Sequence, residues 1–206
     1  MSKRITGALG ATVLTAALAL STAACDDSGP DTSPDTSTTE HNAADVAFAT
    51  DMIQHHAQAL SMVDLTMERA LDPGVSQLAE QIREAQAPEI ETFTDWLTTW
   101  DEEVPETMRD HTNAGHGADD MAESMEGTDT DMPGMMSADD MQALADAPDA
   151  EFQSMWLEMM IEHHTGAIEM AEAEQADGRF KPAIDLAAAI VASQSAEIDT
   201  MRTLLG

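Results

Sequence analysis

The residues in this chain best suited to chemistry are two histidine doublets. His55-His56 follows Met52-Ile53-Gln54 and His163-His164 follows Met160-Ile161-Glu162, so one framed phrase recurs at an offset of 108 residues. In each copy a further methionine, Met62 or Met170, stands six residues after the second histidine. Neither segment contains proline, which places both doublets on helices. There, consecutive side chains point about 100° apart and residues three or four apart share a face. Met52 then adjoins His55 and His56, Met160 adjoins His163 and His164, and Met159 adds a sulfur four residues before His163. Imidazole and thioether together suit a soft or borderline metal ion, copper above all, with thioether favouring Cu(I). Packing is the competing explanation, because methionine fills gaps in helical cores and a lone buried histidine is usually a hydrogen-bonded core residue. Four imidazoles in two equivalent frames favour ligation by at least one histidine of each doublet.

A second candidate group lies between the copies. Seven methionines and two histidines fall from Met108 to Met141, among Gly, Asp and Ser residues that permit wrapping around an ion. His111, His116, Met132, Met135 and Met136 are its candidate ligands. In a loop these methionines have no core of their own to fill; the alternative is that Met135-Met136 docks as an apolar pair on the rest of the fold. Other chemistries fit poorly. No Asp or Glu precedes any of the four doublet histidines by three residues, as a di-iron carboxylate bundle requires. No Cys-x-x-Cys, His-Glu-x-x-His or glycine-rich phosphate loop occurs.

The elements that must position these residues follow from the apolar spacing. One helix is predicted over about 43–70. After Asp72-Pro73-Gly74, a second carries Val75, Leu78, Ile82, Phe93 and Leu97, with Pro88 expected to kink or end it. The segment 101–137 lacks periodicity, and a short helix is expected over 138–145. A third long helix spans about 149–176, ending at Asp177-Gly178 with the glycine suited to a left-handed residue; a fourth spans about 182–205. The offset of 108 also pairs Leu78, Ile82, Gln86, Glu89 and Ile90 with Leu186, Ile190, Gln194, Glu197 and Ile198. Two tandem hairpins are therefore expected, repeat 1 over about 43–100 and repeat 2 over about 149–206, with the 101–148 segment crossing over. One hairpin leaves an apolar face bare, and two bury it as an all-α four-helix bundle. Glu89 and Glu197 are candidates to hydrogen-bond the imidazoles, or else solvated helix positions.

The chain has 206 residues, with 8 basic and 40 acidic side chains and a formal net charge of −32. Lys3 and Arg4, an apolar run over 8–20 and small residues before Cys25 read as an export signal over 1–24. Its removal leaves six basic and forty acidic residues, or −34. Such a field repels nucleic acid and favours cations. Cys25 is the only cysteine, and its setting resembles a bacterial lipobox, although Thr22 stands where that pattern has Leu or Val. Lipidation at Cys25 would leave the protein anchored at the outer face of the cell membrane; without it the protein would be secreted. The Asp, Ser, Thr and Pro composition of 25–42 reads as a disordered tether.

Met-Ile-x-His-His-x-Gly-Ala-Ile-Glu-Met-Ala at 160–171 resembles the signature of the DUF305 family, which includes copper-binding CopM-like proteins. Met132-Pro133-Gly134-Met135-Met136 and Ala192-Ser193-Gln194-Ser195-Ala196-Glu197-Ile198 resemble it as well. The likeness covers about 43–206. It implies a ferritin-like four-helix bundle, exported, with a role in copper binding and resistance, and it marks His163, His164, Met160 and Met170 with their counterparts His55, His56, Met52 and Met62. The first copy departs where Gln58 replaces the glycine and Ser61 the glutamate. If that glycine serves close helix approach, the first site is altered or lost. The functional expectation is a non-catalytic, extracytoplasmic copper lipoprotein that sequesters the ion or exchanges it with a donor or acceptor protein. The alternatives are a structural or interaction module of the envelope and a ferritin-like redox enzyme.

Overall fold

In the computed structural model the described residues are 36–67, 69–109 and 131–206. The compact unit comprises Pro34–Gly206. Among the described residues five helices form: α1 (Ala43–Asp64), α2 (Pro73–Trp100), α3 (Ala138–Asp146), α4 (Asp149–Asp177) and α5 (Lys181–Leu205). α1 pairs with α2 and α4 with α5 as the two expected hairpins, α1 packs on α4, and α2 touches α5. α1 and α4 run antiparallel: the Asn42 side-chain amide donates to the Asp177 carbonyl at one end, and Trp156 Nε1 donates to the Met62 carbonyl at the other. The result is a four-helix bundle, with α3 packed against α4.

The helix starts obey local chemistry. Asn42 caps α1 in a reciprocal capping box with Asp45, Asp72 caps α2 ahead of Pro73, and Ser137 caps α3 in a box with Asp140. Several boundaries differ from expectation. α1 stops at Asp64 rather than near residue 70, because Thr66 turns its hydroxyl onto the Val63 carbonyl. Arg69 is drawn instead to the Ala145 and Ala147 carbonyls at the end of α3, each at 2.6 Å, where a helix C-terminus favours a cation. α2 runs unbroken through Pro88. Burial of Val75, Leu78 and Ile82 before the proline, and of Phe93 and Leu97 after it, outweighs the lost backbone donor. Gly178 is extended (φ −68°), not left-handed. A side chain there would collide with Glu174, whose Oε1 would lie 2.3 Å from a Cβ. The left-handed residue is Asp101 at the end of α2 (φ 61°).

Part of the expected tether, residues 36–42, is ordered against the bundle. Ser37 pairs with the backbone on both sides of Phe180, at 2.7 Å to Arg179 and to Lys181; Glu40 pairs with Arg179, and His41 stacks on Trp100 at 4.4 Å. Residues 36–42 are therefore docked on the bundle, because a backbone bridge and a ring stack offset the ordering entropy that composition alone suggested they could not. Residues 25–35 lie outside the described residues.

The core has two apolar halves. One gathers Met62, Val63, Ile82, Met136, Met141, Leu144, Trp156, Met160 and Met201. The other gathers Phe48, Met52, Phe93, Leu97, Ala167, Ala171 and Ile190. Among the described residues, seven buried polar side chains fall between these halves: His55, His56 and Gln58 on α1, Gln86 on α2, His163 and His164 on α4, and Gln194 on α5; buried Asp45 and Glu174 lie instead towards one end of the bundle. A polar layer crosses the bundle with an apolar seal on either side.

Candidate metal centre

Each doublet splits its two rings, as the 100° step requires. The inner rings meet across α1 and α4: His55 and His163 stack with centroids 3.8 Å apart and planes tilted by 39°. The outer rings turn to their own hairpin partners. His56 Nε2 lies 2.7 Å from Glu89 Oε2 on α2, and His164 Nε2 lies 2.7 Å from Glu197 Oε2 on α5. The hydrogen bonds anticipated for Glu89 and Glu197 are thus present and equivalent. All four imidazoles are fully buried. The doublets form one cluster rather than two separate strips, since the two helices cross at the histidines.

Partners fix the tautomers. The Pro133 carbonyl, 3.1 Å from His55 Nε2, can only accept, so that nitrogen carries the proton. With the carboxylates of Glu89 and Glu197 accepting, His56 and His164 also carry theirs on Nε2. Nδ1 of His55, His56 and His164 is then a buried lone pair without a hydrogen-bond partner, and both ring nitrogens of His163 are without one. Burial keeps His55, His163 and His164 neutral. It pushes the His55 pKa down to about 3, with His56 adding to the effect, and holds His163 well below the usual imidazole range with His55 and His164 adding. For His164 burial outweighs the opposing pull of Glu197. Neutral imidazoles oriented by a carboxylate or carbonyl at the far nitrogen have the arrangement of metal-ligating histidines. Among the described residues, no three His, Cys, Asp or Glu side chains converge on one ion position. The inner rings stack on each other instead.

The methionines divide. Met52 and Met160 are fully buried, one turn before the histidines and on opposite sides of the polar layer. Met62 is buried beside Trp156, and Met159 lies half-buried at the margin of that cluster. Met170 lines a cleft of about 180 Å³ with Phe48, Asp51 and Glu174, at the other end of the bundle from its counterpart Met62. Met132 and Met136 are buried and Met135 half-buried. His111, His116 and Cys25 lie outside the described residues.

A short strap, residues 132–136, lies over the centre: Met136 docks in the core, as the alternative for Met135-Met136 had it, while the strap's hydrogen bonds to His55 and Gln58 are what sequence reasoning missed. Its Pro133 carbonyl reaches His55, and its Met136 backbone pairs with the Gln58 amide in both directions, at 2.9 and 2.7 Å. Gly134 is left-handed (φ 74°) and sits against the Glu162 and His163 carbonyls. A Cβ on Gly166 would lie 1.9 Å from the Pro133 oxygen. The glycine of the second copy thus admits this strap rather than a helix. Gln58, its counterpart, anchors the strap. The signal was in the sequence as one of the two departures of the first copy from the repeated phrase.

Fold and site together define a class: an all-α bundle of two tandem hairpins whose repeated His-His phrases meet in the core. The family model for DUF305, a domain of unknown function, matches residues 45–205, and the chain belongs to that family. It is similar in structure to a DUF305 fragment from Deinococcus radiodurans (29% identity, TM-score 0.64, covering 80% of this chain and 97% of that one). It is also similar to a DUF305 protein of Streptomyces coelicolor classed with secreted proteins (30%, 0.64, 79% and 91%). CopM in its Cu(I)-bound form is a further neighbour (26%, 0.59, 78% and 94%). No curated protein matches the chain.

Proposed function

We propose that this protein binds copper outside the cytoplasm, Cu(I) in preference, and sequesters it or exchanges it with a donor or acceptor protein, without catalysis of its own. The observation that carries the reading is the set of four buried imidazoles, with Nδ1 unpartnered on three and both ring nitrogens unpartnered on the fourth. A fully apolar core would be cheaper than so many unpartnered polar atoms, so their retention fits a ligand that completes them. Buried thioethers at Met52 and Met160 on the same helices suit a soft cation. The similarity to CopM, known in Cu(I)- and Cu(II)-bound forms, supports the choice of copper. Export fits the charged and apolar start of the chain and the similarity to a protein classed as secreted. Anchoring through a lipid on Cys25 would hold the bundle at the membrane; among the described residues no helix is long and apolar enough to cross one.

The stacked inner rings favour one competing reading, a structural module whose histidines only pack. Titration of the mature protein with Cu(I) against a competing chelator separates the two. Copper binding predicts affinity tighter than micromolar, weakened at least about a hundredfold by His163→Ala plus His164→Ala. Micromolar or weaker binding, unchanged by that double substitution, would leave the packing reading standing.

A further inference from the structure

The strap crosses the histidine layer at a place where the pseudo-symmetry of the bundle is broken, and three contacts hold it there. Pro133 is exposed, yet its carbonyl is the hydrogen-bond acceptor for the fully buried His55. Gly134 and Gly166 bring strap and α4 backbones into direct contact over His163. The Gln58 side chain satisfies both the N–H and the carbonyl of Met136, and Met136 continues into the methionine-rich half of the core. The inner rings have no solvent exposure with the strap in this position. The outer rings are backed by Glu89 and Glu197, whose side chains keep only 18% and 16% of their surface in water.

The geometry points to strap 132–136 being a lid over the His55–His163 pair, latched by Gln58, whose release admits the ion. This rests on the metal-binding reading for what passes through, but not for the motion itself. The latch is polar and local, so it can open without unfolding the hairpins. On opening, water replaces the two Gln58 hydrogen bonds and the His55 bond, and Met132 and Met136 leave their buried positions, while the four long helices stay paired. The asymmetry between Gln58 and Gly166 follows directly. A single strap crossing a pseudo-two-fold pair needs clearance on one side and a hydrogen-bonding anchor on the other, and two glycines or two glutamines would supply only one of these.

The test uses the metal-free full chain and an imidazole-specific acylating reagent, diethyl pyrocarbonate, with mass spectrometry reading each histidine peptide. Gln58→Leu removes the latch and leaves the Met136 N–H and carbonyl unpaired when the strap is closed. Gly166→Ala drives the strap off without removing any partner. In both, labelling in the His55 and His163 peptides should accelerate about tenfold or more, the effect of one to two kcal/mol of lost closure. His41, half-buried where it stacks on Trp100 away from the strap, should label at the wild-type rate. The rate at which Cu(I) passes from a chelator to the protein should rise in step. Unchanged labelling in both variants, or acceleration shared equally with His41, overturns the lid. So does faster labelling with an unaltered copper-transfer rate in variants that bind copper. Faster labelling in variants and wild type that bind no Cu(I) at all keeps the lid and removes the copper reading instead.

Discussion

α1 and α4 carry the same Met-Ile-x-His-His phrase and bury it at the same depth, yet the residue two positions after each doublet does opposite work. Gln58 on α1 reaches out to hold the strap, whereas Gly166 on α4 withdraws so that the strap can touch the helix. The outer rings stay equivalent, with identical 2.7 Å contacts to Glu89 and Glu197. Duplication thus set the histidine frame, and the crossing strap breaks its symmetry at Gln58 and Gly166. Divergence between repeats is therefore no measure of decay: the departure at Gln58 marks an added contact.

Exchanging these two residues breaks the comparison most severely. Gly166→Gln forces a side chain into the Pro133 backbone and should cost about 3 kcal/mol or more, read as a lowered urea midpoint. Gln58→Gly should cost about 2 to 3 kcal/mol, from the orphaned Met136 backbone and a glycine inside a helix. The combined swap should recover neither loss, because the strap crosses in one direction only. If the swap restored wild-type stability, the asymmetry would be incidental.

The outer pairs sharpen the other half of the comparison. Glu89→Gln and Glu197→Gln should each weaken copper affinity about tenfold to a hundredfold, and by similar amounts, since each orients one imidazole in the same way. A loss confined to Glu197→Gln would mean that the second copy alone binds the ion.

A smaller effect separates the helix ends. Glu174 on α4 has as its counterpart Thr66, which lies just beyond the end of α1. Burial, then the neighbouring Asp45 carboxyl and Asp177, push the Glu174 pKa from 4.5 up to about 9. Asp45 stays fixed by the backbone N–H groups of Asn42, Arg179 and Phe180. The folded state therefore holds a proton that the unfolded chain releases above pH 4.5. This contribution to stability is fully present below pH 4.5 and is lost progressively as pH rises towards about 9. Thermal melts across that range should show Glu174→Gln with a flatter stability profile than wild type. Parallel profiles would remove the buried proton from the account.

Much of the bundle was legible because hydrophobic spacing and a gapless offset report on helices and pairing directly. The His–Glu contacts were legible for the same reason, as equivalent residues 33 positions apart in each hairpin. What escaped depends on tertiary partners. Pro88 has a strong intrinsic preference that the packing of Phe93 and Leu97 overrides, and Gly178 is needed for clearance beside Glu174 rather than for its φ. The docking of Ser37 and His41 uses a backbone bridge and a ring stack that composition does not encode. Met170 shares the phrase but faces a different cleft from the one its spacing implied.

The claim that both repeats build one site is tested most directly by Cu(I) stoichiometry and affinity in His55→Ala, His163→Ala and the double variant, measured against a competing chelator. A shared centre predicts that either single substitution removes most of the affinity and that the double variant is little worse than the singles. Independent sites would leave each single variant with half the wild-type stoichiometry at unchanged affinity, and that result would contradict the account.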